Sequence, residues 1–188
     1  ADSASDLAIT QAANKDFELL GTNHTTALVT FNADVAGLTL TTAGTDNDQM
    51  IILPHLDTLQ TVWTGTKWGT ENQVTWEAMV RTGASIADVK IWAGLKLTNV
   101  NAVATDDNKA YFKFQTDATN SEAFTTYTYW HFVHSIGGTD YISQIPVTVA
   151  ASTNYHLKVE IDSDRKATIY VNGIQYNVTS TAGSTGGT

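Results

Sequence analysis

The sequence predicts an all-β fold, an antiparallel jelly-roll β-sandwich of about a dozen strands. Three observations carry that expectation. Residues 155–178, YHLKVEIDSDRKATIYVNGIQYNV, alternate apolar and polar side chains around a polar turn and an Asn172-Gly173 pair. That is the pattern of a three-stranded meander whose last turn is type I′, which needs positive φ at both central residues. Short alternating stretches recur along the rest of the chain, separated by Gly, Asn, Asp and Ser. No stretch holds the period of a helix.

Taken in order, residues 1–15 are small and polar and read as an N-terminal arm. Leu7 and Ile9 fit a short strand, while Ser5 fits the cap of a helical turn, and both readings stay open. Strands follow at residues 16–20, 27–31, 38–42 and 49–53. The run Met50-Ile51-Ile52-Leu53 is apolar on both faces, as in a strand covered on two sides, and Pro54 ends it. Residues 56–68 read as a loop or a short edge strand around Trp63 and Trp68.

The second half is more regular. Val74, Trp76, Ala78 and Val80 alternate with Thr75, Glu77, Met79 and Arg81. Residues 89–97 place Val89, Ile91, Ala93, Leu95 and Leu97 on one side, with Trp92 out of phase. Strands at 110–115 and 125–135 follow. In the latter, Tyr127, Tyr129, His131 and Val133 share one face, and Thr128, Trp130, Phe132 and His134 the other. Residues 141–149 form a further strand, in which Pro146 predicts an edge position or a bulge. The domain reading is one sandwich over residues 16–179, with a flexible Gly/Ser/Thr tail at 180–188.

Composition bounds the function. At 188 residues the chain fits a single domain able to bury about 70% of its unfolded surface. The net charge of −9 and pI of 4.7 disfavour nucleic acid and anionic membranes as partners. The chain has no cysteine, which excludes disulfides, thiol catalysis and Cys-ligated zinc. No apolar run approaches a membrane span. The first residues lack a basic and an apolar segment of signal-peptide type, and the missing initiator Met fits a processed or trimmed start.

Two resemblances sharpen this. Tyr-x-Leu-x-Val-x-Ile-Asp, a polar turn, then Ile-Tyr-Val-Asn-Gly, within residues 155–173, resembles the late hairpin of laminin-G/concanavalin A-like jelly-roll domains. Four further stretches are DNDQMIILPH at 46–55, WGTEN at 68–72, WAGLKLTN at 92–99 and GGTDY at 137–141. Together they resemble virion structural proteins of tailed bacteriophages, notably those of marine and cyanobacterial hosts. The likeness spans the chain from about Phe17 onward and implies a location more than an activity. The resemblance also implies a further strand after the late hairpin. Its absence fits a fragment, or an N-terminal strand filling the place.

The candidate chemistry is sparse. Glu160 and Asp162 share a face, as do the paired carboxylates of jelly-roll glycoside hydrolases, but the second Glu of that pattern is missing. Solvated outward residues entering a turn are the ordinary explanation. His131 and His134 are three apart on a strand and point to opposite faces, so they do not chelate one ion together. No nucleophile elbow is present, and no catalytic residue is assigned. Asp46, Asp48, Asp106 and Asp107 supply hard oxygens in loops, so Ca²⁺ is the one cofactor with some basis; Asp and Asn bonding their own backbone in turns is the alternative. Two glycosylation sequons, at Asn23 and Asn177, carry little weight without a secretory signal. Trp92, Tyr127, Tyr129 and His131 are the candidates for a ligand or subunit contact strip.

The expected function is a non-enzymatic phage virion structural protein, a capsid decoration or surface subunit or a tail-fibre component. Its expected partners are the major capsid protein or tail proteins and further copies of itself, on the outside of the particle. The alternatives are a lectin-like module for host-surface glycans and, third, a glycan hydrolase or lyase of the same fold.

Overall fold

The computed structural model describes residues 7–8, 17–32, 37–45, 47–54, 73–96, 103, 105–116 and 127–178. The described residues are all-β, with one short 3-10 turn at Thr26–Leu28. That turn corrects the expected strand at 27–31: Ala27 and Leu28 belong to the turn, and the strand begins at Val29. Residues 56–68 and 180–188 lie outside the described residues, as do the terminal arm positions other than Leu7 and Ala8.

The chain divides into two compact units, residues 1–66 with 99–101 and residues 67–98 with 102–188. The sequence marks no such division within 16–179. In the first unit β1 (Leu7–Ala8) runs parallel to β2 (Phe17–Leu20), and β2 pairs antiparallel with β5 (Ile51–Pro54). Leu7 therefore sits in a strand. β3 (Val29–Asn32) pairs antiparallel with β4 (Gly37–Leu40). Leu19 and Val29 are buried, with Phe17, Leu38, Met50 and Ile52 packed on them. Ile51, Ile52 and Leu53 are half-buried, short of the two-sided burial their apolar run predicts.

The second unit holds two four-stranded sheets. One has the order β10-β9-β8-β7, from β7 (Lys90–Lys96), β8 (Lys109–Gln115), β9 (Tyr129–Ile136) and β10 (Thr139–Thr148). The other has the order β13-β12-β11-β6, from β6 (Thr75–Arg81), β11 (Asn154–Ile161), β12 (Ala167–Val171) and β13 (Ile174–Tyr176). All pairings in both sheets are antiparallel.

Period-two alternation puts one row from each strand into a shared core. Phe112, Phe114, Trp130, Phe132 and Ile145 from one sheet meet Tyr155, Leu157, Val159, Ile169 and Val171 from the other. Burying each large apolar side chain contributes about 1.5–3 kcal/mol. Trp130 packs tilted against Phe114 and edge-on against Tyr155, with ring centres 5.9 and 5.5 Å apart. The Tyr155 hydroxyl, at the core's margin, accepts from Ala150 N at 2.8 Å and donates to Thr148 O at 3.1 Å. It thereby pins the turn that leads the chain from β10 to β11.

Turn chemistry sets the meander's register. Asn172 and Gly173 have φ of 52° and 79°, as a type I′ turn requires, and Val171 faces Ile174. The Asp162 carboxylate accepts from the backbone N–H groups of Asp164 and Lys166, closing the turn between β11 and β12. Pro146 lies on an edge strand within the register break between Ile145 and Thr148. A proline has no N–H for the ladder, and both features accommodate that loss.

Candidate functional site

The notable surface is the side of the β7–β10 sheet turned away from the core. Each strand contributes its second row of side chains there, and the register aligns them into rungs. Trp92 faces Lys113, Lys113 faces His131, and His131 faces Gln144. A second rung runs Gly94, Tyr111, Val133, Ile142, and a third Lys96, Lys109, Ser135, Asp140. Lys90 faces Gln115 at the far end. Four of the ten Lys and Arg residues of this acidic chain thus sit on one sheet face.

The centre of this polar face, on β8 and β9, is buried. Lys113 and Gln115 are each 1% exposed, His131 and Tyr111 2%. A charge taken out of water needs compensation, and the face supplies it. Lys109 Nζ lies 2.8 Å from Asp140 Oδ2, and Lys96 Nζ 3.4 Å from Asp106 Oδ2. Lys113 Nζ sits 5.7 Å from the centre of the Trp92 ring, and Lys109 Nζ 6.0 Å from that of Tyr111, both distances at which a cation is drawn to an aromatic face. Gly94 makes room for Tyr111: at φ 151° a Cβ there would lie 2.6 Å from the Tyr111 Cα.

Burial also tunes the acids and bases. It pushes the Lys113 ammonium down to about 8, with Lys90 and Lys109 adding to the effect. The Lys96 ammonium is lowered by burial, against the pull of Asp106. The Tyr111 phenol is raised by burial and then by Asp140 and Asp106. His131 is held below its ordinary value by burial, opposed by the Tyr129 carbonyl 3.1 Å from its Nδ1. On the core side His134 is also lowered by burial. It stacks between Phe132 and Tyr141, at 5.8 and 5.3 Å, and neither ring nitrogen has a hydrogen-bond partner among the described residues. The face can hold positive charge against aromatic rings and carboxylates.

The expected contact strip is thus graded. Tyr127 is 44% exposed, Tyr129 and Trp92 are half-buried, and His131 is buried. Register brings Trp92 and His131 to either side of Lys113, the residue that sequence reasoning missed. Its signal was the alternation of Lys109, Tyr111, Lys113 and Gln115 with Ala110, Phe112 and Phe114, which reads as a solvated face.

The calcium candidates fall in both units. Asp46 lies outside the described residues. In the first unit the Asp48 carboxylate accepts from Asn23 Nδ2 and from Thr45 N, each at 2.6 Å, and the Asn23 bond first of all lowers its pKa. In the second, Asp106 Oδ1 accepts from Asn108 N at 3.1 Å while Oδ2 faces Lys96. The Asp107 carbonyl accepts from Ser135 Oγ and Gly138 N, both at 2.9 Å. These are turn-forming and ion-pair roles, and no group of three or more His, Asp or Glu side chains gathers among the described residues. Glu160 pairs with Lys158 at 2.6 Å, and Asp162 serves its turn.

Compared with models of known protein families, with curated proteins and with solved structures, the chain matches none.

Proposed function

We propose that the protein is a non-enzymatic virion structural protein of a tailed bacteriophage, a capsid decoration or surface subunit or a tail-fibre component that works through subunit contacts. The observation that carries the reading is the contrast between the two sheets. The central aromatic and cationic residues of the β7–β10 sheet's outer face, Lys109, Tyr111, Lys113 and His131, are buried within the chain. The β13-β12-β11-β6 sheet turns Thr75, Glu77, Met79 and Arg81 outward, with Met79 63% exposed, and Ile174 at its far edge is 60% exposed. Exposed apolar side chains on a regular sheet suit contact with another protein surface. Support for the virion location comes from the sequence stretches at 46–55, 68–72, 92–99 and 137–141.

In this reading the second unit is a jelly roll of the concanavalin A-like class. The supporting feature is that β11 returns beside β6 after four intervening strands in the opposite sheet. A glycan-binding module draws on the Trp92 and Lys113 pair, but the burial of Lys113 and His131 weighs against a sugar reaching that rung.

Quantitative mass spectrometry of purified phage particles, counting this chain against the major shell protein, tests the proposal. A simple fixed ratio supports a shell role, and a handful of copies supports a tail role. Absence from the particles overturns the reading and makes glycan-binding and hydrolysis screens the next step.

A further inference from the structure

Among the described residues the second unit has four edge strands, and three are poor templates for pairing. β10 carries Pro146 and a register break, β13 has three residues, and β7 has a lysine at each end and Gly94 within it. These are devices that blunt a sheet edge. β6 has no proline, glycine, lysine or register break, and its two charges, Glu77 and Arg81, are of opposite sign. It runs seven residues in unbroken register with β11.

Its outward edge can be assigned residue by residue. Ile161 N donates to Val74 O at 2.8 Å, and Thr82 N donates to Thr153 O at 3.0 Å. Hydrogen-bonded positions alternate along an antiparallel pair, so the even-numbered residues of β6 direct their backbone groups to β11. The N–H and C=O groups of Thr75, Glu77, Met79 and Arg81 point the other way, where no strand among the described residues pairs with them.

We propose that this edge pairs with β6 of a second copy, antiparallel, about a two-fold axis at Met79. The inference rests on the reading of the protein as a structural subunit and names one of its contacts. A two-fold axis makes the interface self-complementary, and the charges choose its register. An axis at Glu77 sets that carboxylate against its own copy, and like charges directly opposite destabilise a sheet. An axis at Ala78 sets Glu77 against Met79. An axis at Met79 sets Glu77 directly across from Arg81 of the second copy, twice over, and packs the exposed Met79 side chains on each other. The two four-stranded sheets then continue as one.

The chain has no cysteine, so a Met79→Cys variant carries a single thiol. Hydrogen-bonded antiparallel partners have Cα atoms about 5.5 Å apart, a spacing that a disulfide spans. Under mild oxidant this variant is expected to form a linked dimer at least tenfold faster than a Glu77→Cys control. In sedimentation experiments Glu77→Arg and Arg81→Glu should each weaken self-association about tenfold or more, and the double swap should restore it, with circular dichroism reporting the fold of each. A wild type that stays monomeric, or a dimer indifferent to the swaps, overturns the proposal. A protein present on particles but monomeric in solution would sink this contact alone; a β6 dimer absent from particles would sink the virion reading alone.

Discussion

The ammonium of Lys113 lies 5.7 Å from the centre of the Trp92 ring, its partner across the β7–β8 ladder. The charge sits in a buried layer, on the opposite side of the sheet from the apolar core. Cation–π attraction offsets part of the desolvation cost. The depressed pKa of about 8 says that a net cost remains.

That cost is measurable. Below pH 8 Lys113 is protonated in folded and unfolded chains alike, and the full penalty applies. Between about 8 and the ordinary 10.5 the unfolded chain binds more protons, so this residue's contribution to stability rises with pH. A Lys113→Met variant should be more stable than wild type at pH 7, by up to about 3 kcal/mol. The gap should close as pH approaches 10.5. Denaturant titrations of both proteins across that range check it.

His134 carries a dependence of the same sign in a lower pH window. Burial depresses its pKa, so its neutral form is the folded form, and its stability is present above 6.5 and lost as pH falls through the folded value. Replacing it with Phe keeps the stack between Phe132 and Tyr141. The His134→Phe variant should lose less stability than wild type between pH 7.5 and 5. Thermal melts of the pair at both pH values decide it.

Gly94→Ala should be severe. The new Cβ would lie 2.6 Å from the Tyr111 Cα at a φ of 151°, so both sterics and backbone conformation oppose it. A loss of about 2–4 kcal/mol is expected from urea denaturation.

Tyr155→Phe removes a hydroxyl that makes two hydrogen bonds to the β10–β11 turn. The ring contact with Trp130 stays. The expected loss is about 1–3 kcal/mol, with amide exchange at Ala150 rising more than exchange in β12.

Much of the strand pattern was legible because period-two alternation and turn residues are local properties. The Asn172-Gly173 turn, the edge position of Pro146 and the two faces of β9 all follow from such rules. The start of β3 was missed because Ala27 and Leu28 suit a 3-10 turn as well as a strand. The division into two units left no compositional mark. The candidate site was less legible still. Alternation separated Trp92 and His131 from the core row correctly, but it does not report whether the second face is covered. Lys113 drew no reading of its own for that reason. Asp48, Asp106 and Asp162 looked like ligands or catalysts because the same residue types also close turns.

The most direct test of the account is competitive acetylation of the native protein, with mass spectrometry reading each lysine. A lysine whose pKa is near 8 is a better nucleophile than an exposed one at neutral pH, so only burial can make Lys113 slow. Lys158 and Lys166, on and beside the open sheet, should react at least tenfold faster than Lys109 and Lys113. Equal rates, or a fast Lys113, would mean that the polar face is open, contradicting the closed-face account and favouring a ligand site on the Trp92 rung.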